Sequence, residues 1–389
     1  MTTDHRAPRT DRVAALVSAF AFSVGLGVAT VTIPLLALAA GYDAAMVGFL
    51  TATSAASQLT TRLALPWMLR RLPDRTLIAI SSLLMLAAFG LLLVSTALAV
   101  FAAAQLLQGA ARAIFWTSSQ THAVRSGGKP VQRLVDLNMV GNAGTLLGPA
   151  LAGMLAVVGL SLALAAAAFG AIVAVALTPL LAWLAPTDRR RSAGTVRLLA
   201  RDGVDVACWA SVVGGGWWSM IGSYIPIILV GAGIGPQGIG WLITASEGAS
   251  MAVLVALRRV PTGWIRTVVR SSAAGVALAL VAIALAPAEL WAYLVVLLAG
   301  GAASGAVTAL APAMASLASG PDEQGDAMAL TGTFRAAALL GSPAAVGALL
   351  SVVPLAPAVV IAGAALGLPG LAVGRRAAGS VNASARSWR

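Results

Sequence analysis

The stretch Ile33-Pro-Leu-Leu-Ala-Leu-Ala-Ala-Gly41-Tyr-Asp-Ala-Ala-Met-Val-Gly48 returns roughly half a chain later as Ile225-Pro-Ile-Ile-Leu-Val-Gly-Ala-Gly233-Ile-Gly-Pro-Gln-Gly-Ile-Gly240, its Ile-Pro pair and two glycines in register without a gap. Two further matches follow in the same order. Leu69-Arg70-Arg71-Leu72-Pro73 becomes Leu257-Arg258-Arg259-Val260-Pro261, and Leu146-Leu147-Gly148-Pro149 becomes Leu339-Leu340-Gly341-Ser342-Pro343 with one inserted residue. One such match in so Ala- and Leu-rich a chain carries little. Three in order indicate an internal duplication.

Around these repeats the chain is a ladder of apolar stretches. With 59% hydrophobic and 10% charged residues and a mean hydropathy of +0.91, it does not describe a soluble domain. At about 20 apolar residues per bilayer crossing, spans fall near 13–38, 45–69, 76–96, 98–121, 134–158 and 161–185. A second group falls near 205–229, 237–257, 267–286, 289–317, 326–351 and 355–373. The expectation is an all-α integral membrane protein of twelve transmembrane helices in two pseudo-symmetric halves. Its parts are an N-terminal tail (1–12), a six-helix bundle (13–185), a linker (186–203), a second six-helix bundle (204–374) and a C-terminal tail (375–389).

Positive charge sorts to alternate connectors. Arg70, Arg71 and Arg75 fill one, Arg125, Lys129 and Arg133 the next but one, and Arg189 to Arg201, Arg258 to Arg270 and both tails hold the rest. The intervening connectors around 41–45 and 231–237 hold none. Arg and Lys stay cytoplasmic during insertion, so both termini and the linker are expected inside a cell membrane, most simply a bacterial inner membrane. The same rule accounts for the net charge of +12, and no basic, aromatic-interleaved surface domain exists to hold nucleic acid. Cys208 is the single cysteine, and His5 and His122 lie far apart, so neither a disulfide nor a metal site nor a cofactor is expected. The first apolar run is longer than a signal-peptide core and is read as a retained span.

Arg62, Arg112 and Arg335 remain inside apolar stretches, where ionisable residues point to function. Polar stripes at helical spacing accompany them: Gln105, Gln108, Arg112, Trp116 and Ser119 on the fourth span, Thr51, Ser54, Gln58 and Arg62 on the second, Asn138, Asn142 and Thr145 on the fifth, Thr331 and Arg335 on the eleventh. Hydrocarbon cannot satisfy such groups, so they face water or partners. Glu247 is the one carboxylate near a span's midpoint, and its duplicate position is Ala55. Burial disfavours a charged carboxylate, which suits Glu247 to load and release a proton. The alternative is a permanent pair with Arg112 or Arg335. Those two guanidiniums offer a planar fork to an anionic or carbonyl-bearing ligand, or else sit structurally against Asp136 or Asp326, while Arg62 can snorkel to the interface. Trp116, Trp217 and Trp218 are placed to stack on an aromatic ligand; Trp67, Trp183, Trp241 and Trp291 read as interfacial anchors. The candidate ligand-binding set is Gln58, Gln105, Gln108, Arg112, Trp116, Asn142, Trp217, Trp218, Thr244 and Arg335. The run Gly214-Gly215-Gly216 predicts either a bend in the seventh span or close packing there.

Over nearly its whole length the chain resembles the major facilitator superfamily. Gly144-Thr-Leu-Leu-Gly148-Pro149-Ala-Leu-Ala152-Gly153 is similar to that family's GxxxGPxxGG element, with Ala152 replacing one glycine. Pro66-Trp-Met-Leu-Arg70-Arg71-Leu-Pro73-Asp74-Arg75 sits where the family has its GxxxDRxGRR loop, with Pro66 and Arg70 at the usual Gly and Asp positions. The fourth span departs too, carrying Gln105 where an arginine normally precedes Gln108-Gly109. The resemblance gives motif positions to Arg71, Pro73, Asp74, Arg75, Gly144, Gly148, Pro149 and Gly153, and associates the Gly148-Pro149 element with antiporting exporters. It implies a monomeric secondary transporter that exposes a central site alternately to each side. The expected function is proton-coupled export of a drug-like molecule or metabolite, with Glu247 coupling and with small-molecule substrate, proton and lipid bilayer as partners. Proton-coupled uptake of an organic anion is the alternative. A membrane enzyme or non-transporting sensor is the third reading, and the chain carries no phosphate loop, GxSxG elbow or HExxH to support it.

Overall fold

The computed structural model describes residues 9–127, 129–186, 199, 201, 203–257, 259–319 and 323–368, so most of the expected linker and both tails lie outside the described residues. These residues form α-helices and short 3₁₀ turns, with no strand among them. In chain order the helices are α1 (Arg9–Ala39), α2 (Ala44–Arg71), α3 (Asp74–Val94), α4 (Leu98–Arg125), α5 (Pro130–Ala156), α6 (Leu160–Leu177), α7 (Val204–Ile221), α8 (Tyr224–Gly231), α9 (Pro236–Leu257), α10 (Ile265–Leu285), α11 (Leu290–Leu317), α12 (Gln324–Leu349) and α13 (Leu355–Gly367). Eight of them are long and apolar enough to cross a bilayer, and α7 with α8 makes a ninth span, bent by 47°. Helices α2, α12 and the short α13 take the remaining places in the expected order of twelve.

The repeated Ile-Pro…Gly stretch is a repeated turn. Gly41 and Gly233 both hold left-handed backbone, at φ +86° and +79°, which L side chains rarely adopt. The hydrogen bonds around them match one for one: Gly41 N–H to Leu38 O and Tyr42 N–H to Ala37 O in the first copy, Gly233 N–H to Val230 O and Ile234 N–H to Leu229 O in the second. Each glycine ends a helix in the way a side chain would prevent. After the first turn, the Asp43 carboxylate accepts from Met46 N–H (2.8 Å) and caps α2.

The chain falls into two compact units, residues 1–190 with 222–244, and residues 191–221 with 245–389. In the first unit α1 packs on α5 and α6, and α3 on α4 and α6. In the second, α7 packs on α12, and α10 on α11 and α13, so first meets fifth and third meets fourth and sixth in both. The second and fourth helices cross identically as well. A side chain on Gly109 would strike the Ser54 carbonyl, and one on Gly301 would strike that of Ser246; both residues of the pair recur at a spacing of 192. Small residues permit these approaches.

One reading needs correction, and one left open between two alternatives takes the second of them. The seventh span is not continuous: it breaks at Gly222-Ser223, and its second leg, α8, packs against α1 and α2 in the first unit. The triple glycine is not the bend. Gly214, Gly215 and Gly216 stay helical and buried, giving room to Val307, the Arg335 backbone and Leu366. Close packing is what those glycines serve.

Candidate functional site

In the second unit, Glu247 lies on α9 and is buried. Arg335 of α12 is the charged group near enough to act on it. The Arg335 guanidinium also stands 6.0 Å from the Trp218 ring, within reach of a cation–π attraction. Close contact of Gly215 with the Arg335 backbone holds α7 and α12 together here. Trp217, by contrast, packs over Gly300 of α11 and is buried. Its geometry is that of a packing residue, so Trp218 is the tryptophan of the pair beside the charged groups.

In the first unit, Gln58, Gln105 and Gln108 are buried, although all three side chains are polar. Gln58 lies at the α2–α4 crossing, where its N–H is 3.0 Å from the position a Gly109 side chain would take. Arg112 is half-buried further along α4, and Trp116 fills the space left by Gly141 on α5, edge-on to Phe115. Asn142 is exposed. Thr244 donates to Leu146 O at 3.2 Å and so ties the start of α9 to α5. Arg62 is exposed near the end of α2.

The motif glycines are contact points. A Cβ on Gly148 would lie 2.5 Å from Gly27 Cα, so α5 and α1 touch backbone to backbone there. Gly144 meets Phe20 and Ser23 of α1 in the same way, and Gly153 meets Pro236 and Gly240 of α9. In the degraded loop, Asp74 is fully buried and accepts from Arg125 at 2.8 Å, while Arg125 also donates to Ala185 O. Arg71 lies over the Trp67 ring at 4.4 Å. Pro73 takes the N-cap position of α3, and Arg75 lies in that helix's first turn.

Sequence reading missed one cluster. Asp11 lies inside α1, not in a tail, and its Oδ1 accepts from Ala182 N–H (2.6 Å) and meets His122 Nε2 at 2.9 Å. Both side chains are buried. Arg133 stands 3.9 Å from the second Asp11 oxygen and donates to Ser126. Asp136 pairs with Arg12, not with Arg112, and the Asp326 side chain lies outside the described residues. The available signal was an acid in the first turn of a span and a histidine near the end of another, which are linked only by folding.

Two compact helical units with duplicated packing, and a few charged groups buried inside them, have the character of a membrane transporter. Residues 15–343 match the Major Facilitator Superfamily, and the chain belongs to that family. Its fold is similar to that of the nucleoside transporter NupG (TM-score 0.72, 11% identity, 93% of this chain and 98% of that one). It is also similar to POT family transporters in complex with a thioalcohol-conjugated peptide and with 5-aminolevulinic acid (both TM-score 0.73, 10% identity, 93% and 95% coverage). No curated protein sequence matches the chain.

Proposed function

We propose that this transporter exports a small organic molecule in exchange for a coupling cation, with Glu247 as the carboxylate that carries the exchange. The proposal takes the two six-helix halves as the moving parts, the linker and tails as cytoplasmic, and the monomer as the working unit. One observation carries it: Glu247 is a buried carboxylate on a helix in the membrane, where a fixed charge is costly. Such a group is relieved by taking up a proton. Arg335 and Trp218 beside it supply a donor fork and an aromatic face for the solute, and Gln58, Gln105, Gln108, Arg112, Trp116 and Asn142 are the proposed ligand-binding groups of the first unit.

The tight seats of Gly148 on Gly27 and of Gly153 on Gly240, in an element associated with antiporters, favour export. Uptake is the second reading, and the similar folds of a nucleoside transporter and of POT family transporters in complex with a thioalcohol-conjugated peptide and with 5-aminolevulinic acid make small polar solutes the class to test first. A compound panel in a pump-deficient bacterial host tests the proposal. Wild type is expected to lower accumulation of at least one compound, and equally expressed Glu247→Gln is expected to lose that effect. Equal export by both proteins would remove Glu247 from coupling; raised accumulation with wild type would replace export by uptake.

A further inference from the structure

Through the middle of α4 most side chains are buried, and what stays open is a narrow stripe. Ala111, Ala113, Ile114, Phe115, Ser118 and Ser119 are buried, whereas Arg112, Trp116, Thr117 and Gln120 are partly exposed. Arg112, Trp116 and Gln120 are spaced by four, which sets them one above another on a single face. On α5 the open face carries Asn138 and Asn142, also four apart and both exposed. The two faces adjoin. Trp116 reaches Gly141 by the edge of its six-membered ring: a Cβ on that glycine would lie 2.3 Å from Cη2 and 3.2 Å from both Cζ2 and Cζ3. One turn along α4, Gln120 donates to Asn138 Oδ1 at 3.4 Å.

Amides turned outward on a membrane helix face water, because hydrocarbon leaves their donors and acceptors unsatisfied. The groove between α4 and α5 is therefore an aqueous recess. Its ring is held in place: Phe115 stands at 6.0 Å and 88° to Trp116 and is itself stacked on Phe22 at 3.7 Å. Because Trp116 meets Gly141 by an edge, that contact spends neither face of the ring, and a face is what stacks. A side-chain amide carries two donors and an oxygen with two lone pairs, so the single Gln120–Asn138 bond leaves both with capacity. Asn142 brings a third amide one turn further on. The duplicated helix does without these groups. At the spacing of 192 that relates the two helix crossings, Trp116 and Gln120 correspond to Thr308 and Pro312, so the shared fold does not require them.

We propose that the α4–α5 groove binds a planar heteroaromatic solute with a lactam edge, a ring N–H beside a carbonyl. The ring stacks on Trp116, and the edge pairs, donor to acceptor, with the amides of Gln120, Asn138 and Asn142. This rests on the export reading for placing Trp116 and Asn142 among the ligand-binding groups, and it names the solute class those groups take.

The test is calorimetric titration of the purified full-length protein with three compounds. Isoquinolin-1-one has both the ring and the lactam edge, its N-methyl derivative lacks the donor, and piperidin-2-one lacks the aromatic ring. Wild type is expected to bind isoquinolin-1-one, and each of the others at least about fivefold more weakly. Trp116→Leu and Asn142→Leu are each expected to weaken isoquinolin-1-one about fivefold. Trp241→Leu, which removes an exposed tryptophan of α9, keeps the wild-type affinity. Asn142→Leu alters an exposed position and carries the test where Trp116→Leu fails to fold. No binding of isoquinolin-1-one by wild type, equal binding of all three compounds, or an affinity unchanged in Asn142→Leu or in folded Trp116→Leu overturns the site. Proton-driven export in proteoliposomes separates this site from the coupling role. Export of a panel compound lost in Glu247→Gln, with no isoquinolin-1-one bound by wild type, removes the groove and leaves the coupling role. Binding as expected, with export unchanged in Glu247→Gln, removes the coupling role and leaves the groove.

Discussion

Asp11 is the residue on which one end of the first unit depends. It joins α1 to α4 through His122, to α5 through Arg133 and to the segment after α6 through the Ala182 amide. Removing one partner of a buried pair leaves the others desolvated and unmatched, which costs about 3–5 kcal/mol. Asp11→Ala is therefore expected to lower the thermal midpoint in detergent by several degrees. Asp136→Ala breaks only the more exposed pair with Arg12, whose side chains are 54% and 33% exposed, and should cost under about 1 kcal/mol. A comparable loss in both variants would show that Asp11 is not the keystone its burial indicates.

At the scale of the helix, glycine placement decides what can touch. Gly148 of α5 and Gly27 of α1 lie back to back, and any Cβ there requires a helix to shift. Gly148→Ala should cost about 1–3 kcal/mol from overpacking. Gly90 of α3 meets nothing within 4 Å, so Gly90→Ala should stabilise by about 0.5–1 kcal/mol through helix propensity alone. Scanning fluorimetry of the pair checks the opposite signs; two equal shifts would refute the contact argument. The break at Gly222-Ser223 belongs to this scale too. It lets α8 leave the axis of α7 and pack on α1 and α2, a change of partner that hydropathy along a single apolar run cannot show.

At the scale of the whole molecule, the duplication and the charge pattern make a joint prediction about sidedness. Cys208 is buried, so a membrane-impermeant maleimide should report only introduced thiols. Ala40→Cys and Gly235→Cys, beside the duplicated turns and exposed, should label in intact cells. Lys129→Cys, exposed in a basic connector, should label only after permeabilisation. The opposite pattern would place both termini outside.

Fold was legible in the chain because a membrane helix is specified locally: about 20 apolar residues suffice, and the repeats at Gly41 and Gly233 encode a turn within a few residues. The family followed from the order of those local signals. Glu247 was legible as well, because a lone carboxylate in an apolar run stands out without knowledge of its neighbours. What such a residue touches is not local. The bond between Asp11 and His122 spans 111 positions, and neither residue has a sequence signature that names the other. Arg335 acting on Glu247 and Trp217 packing against Gly300 come from side chains on different helices that only folding brings together. Helical periodicity determines the face a residue occupies; only tertiary packing decides which other helix that face meets.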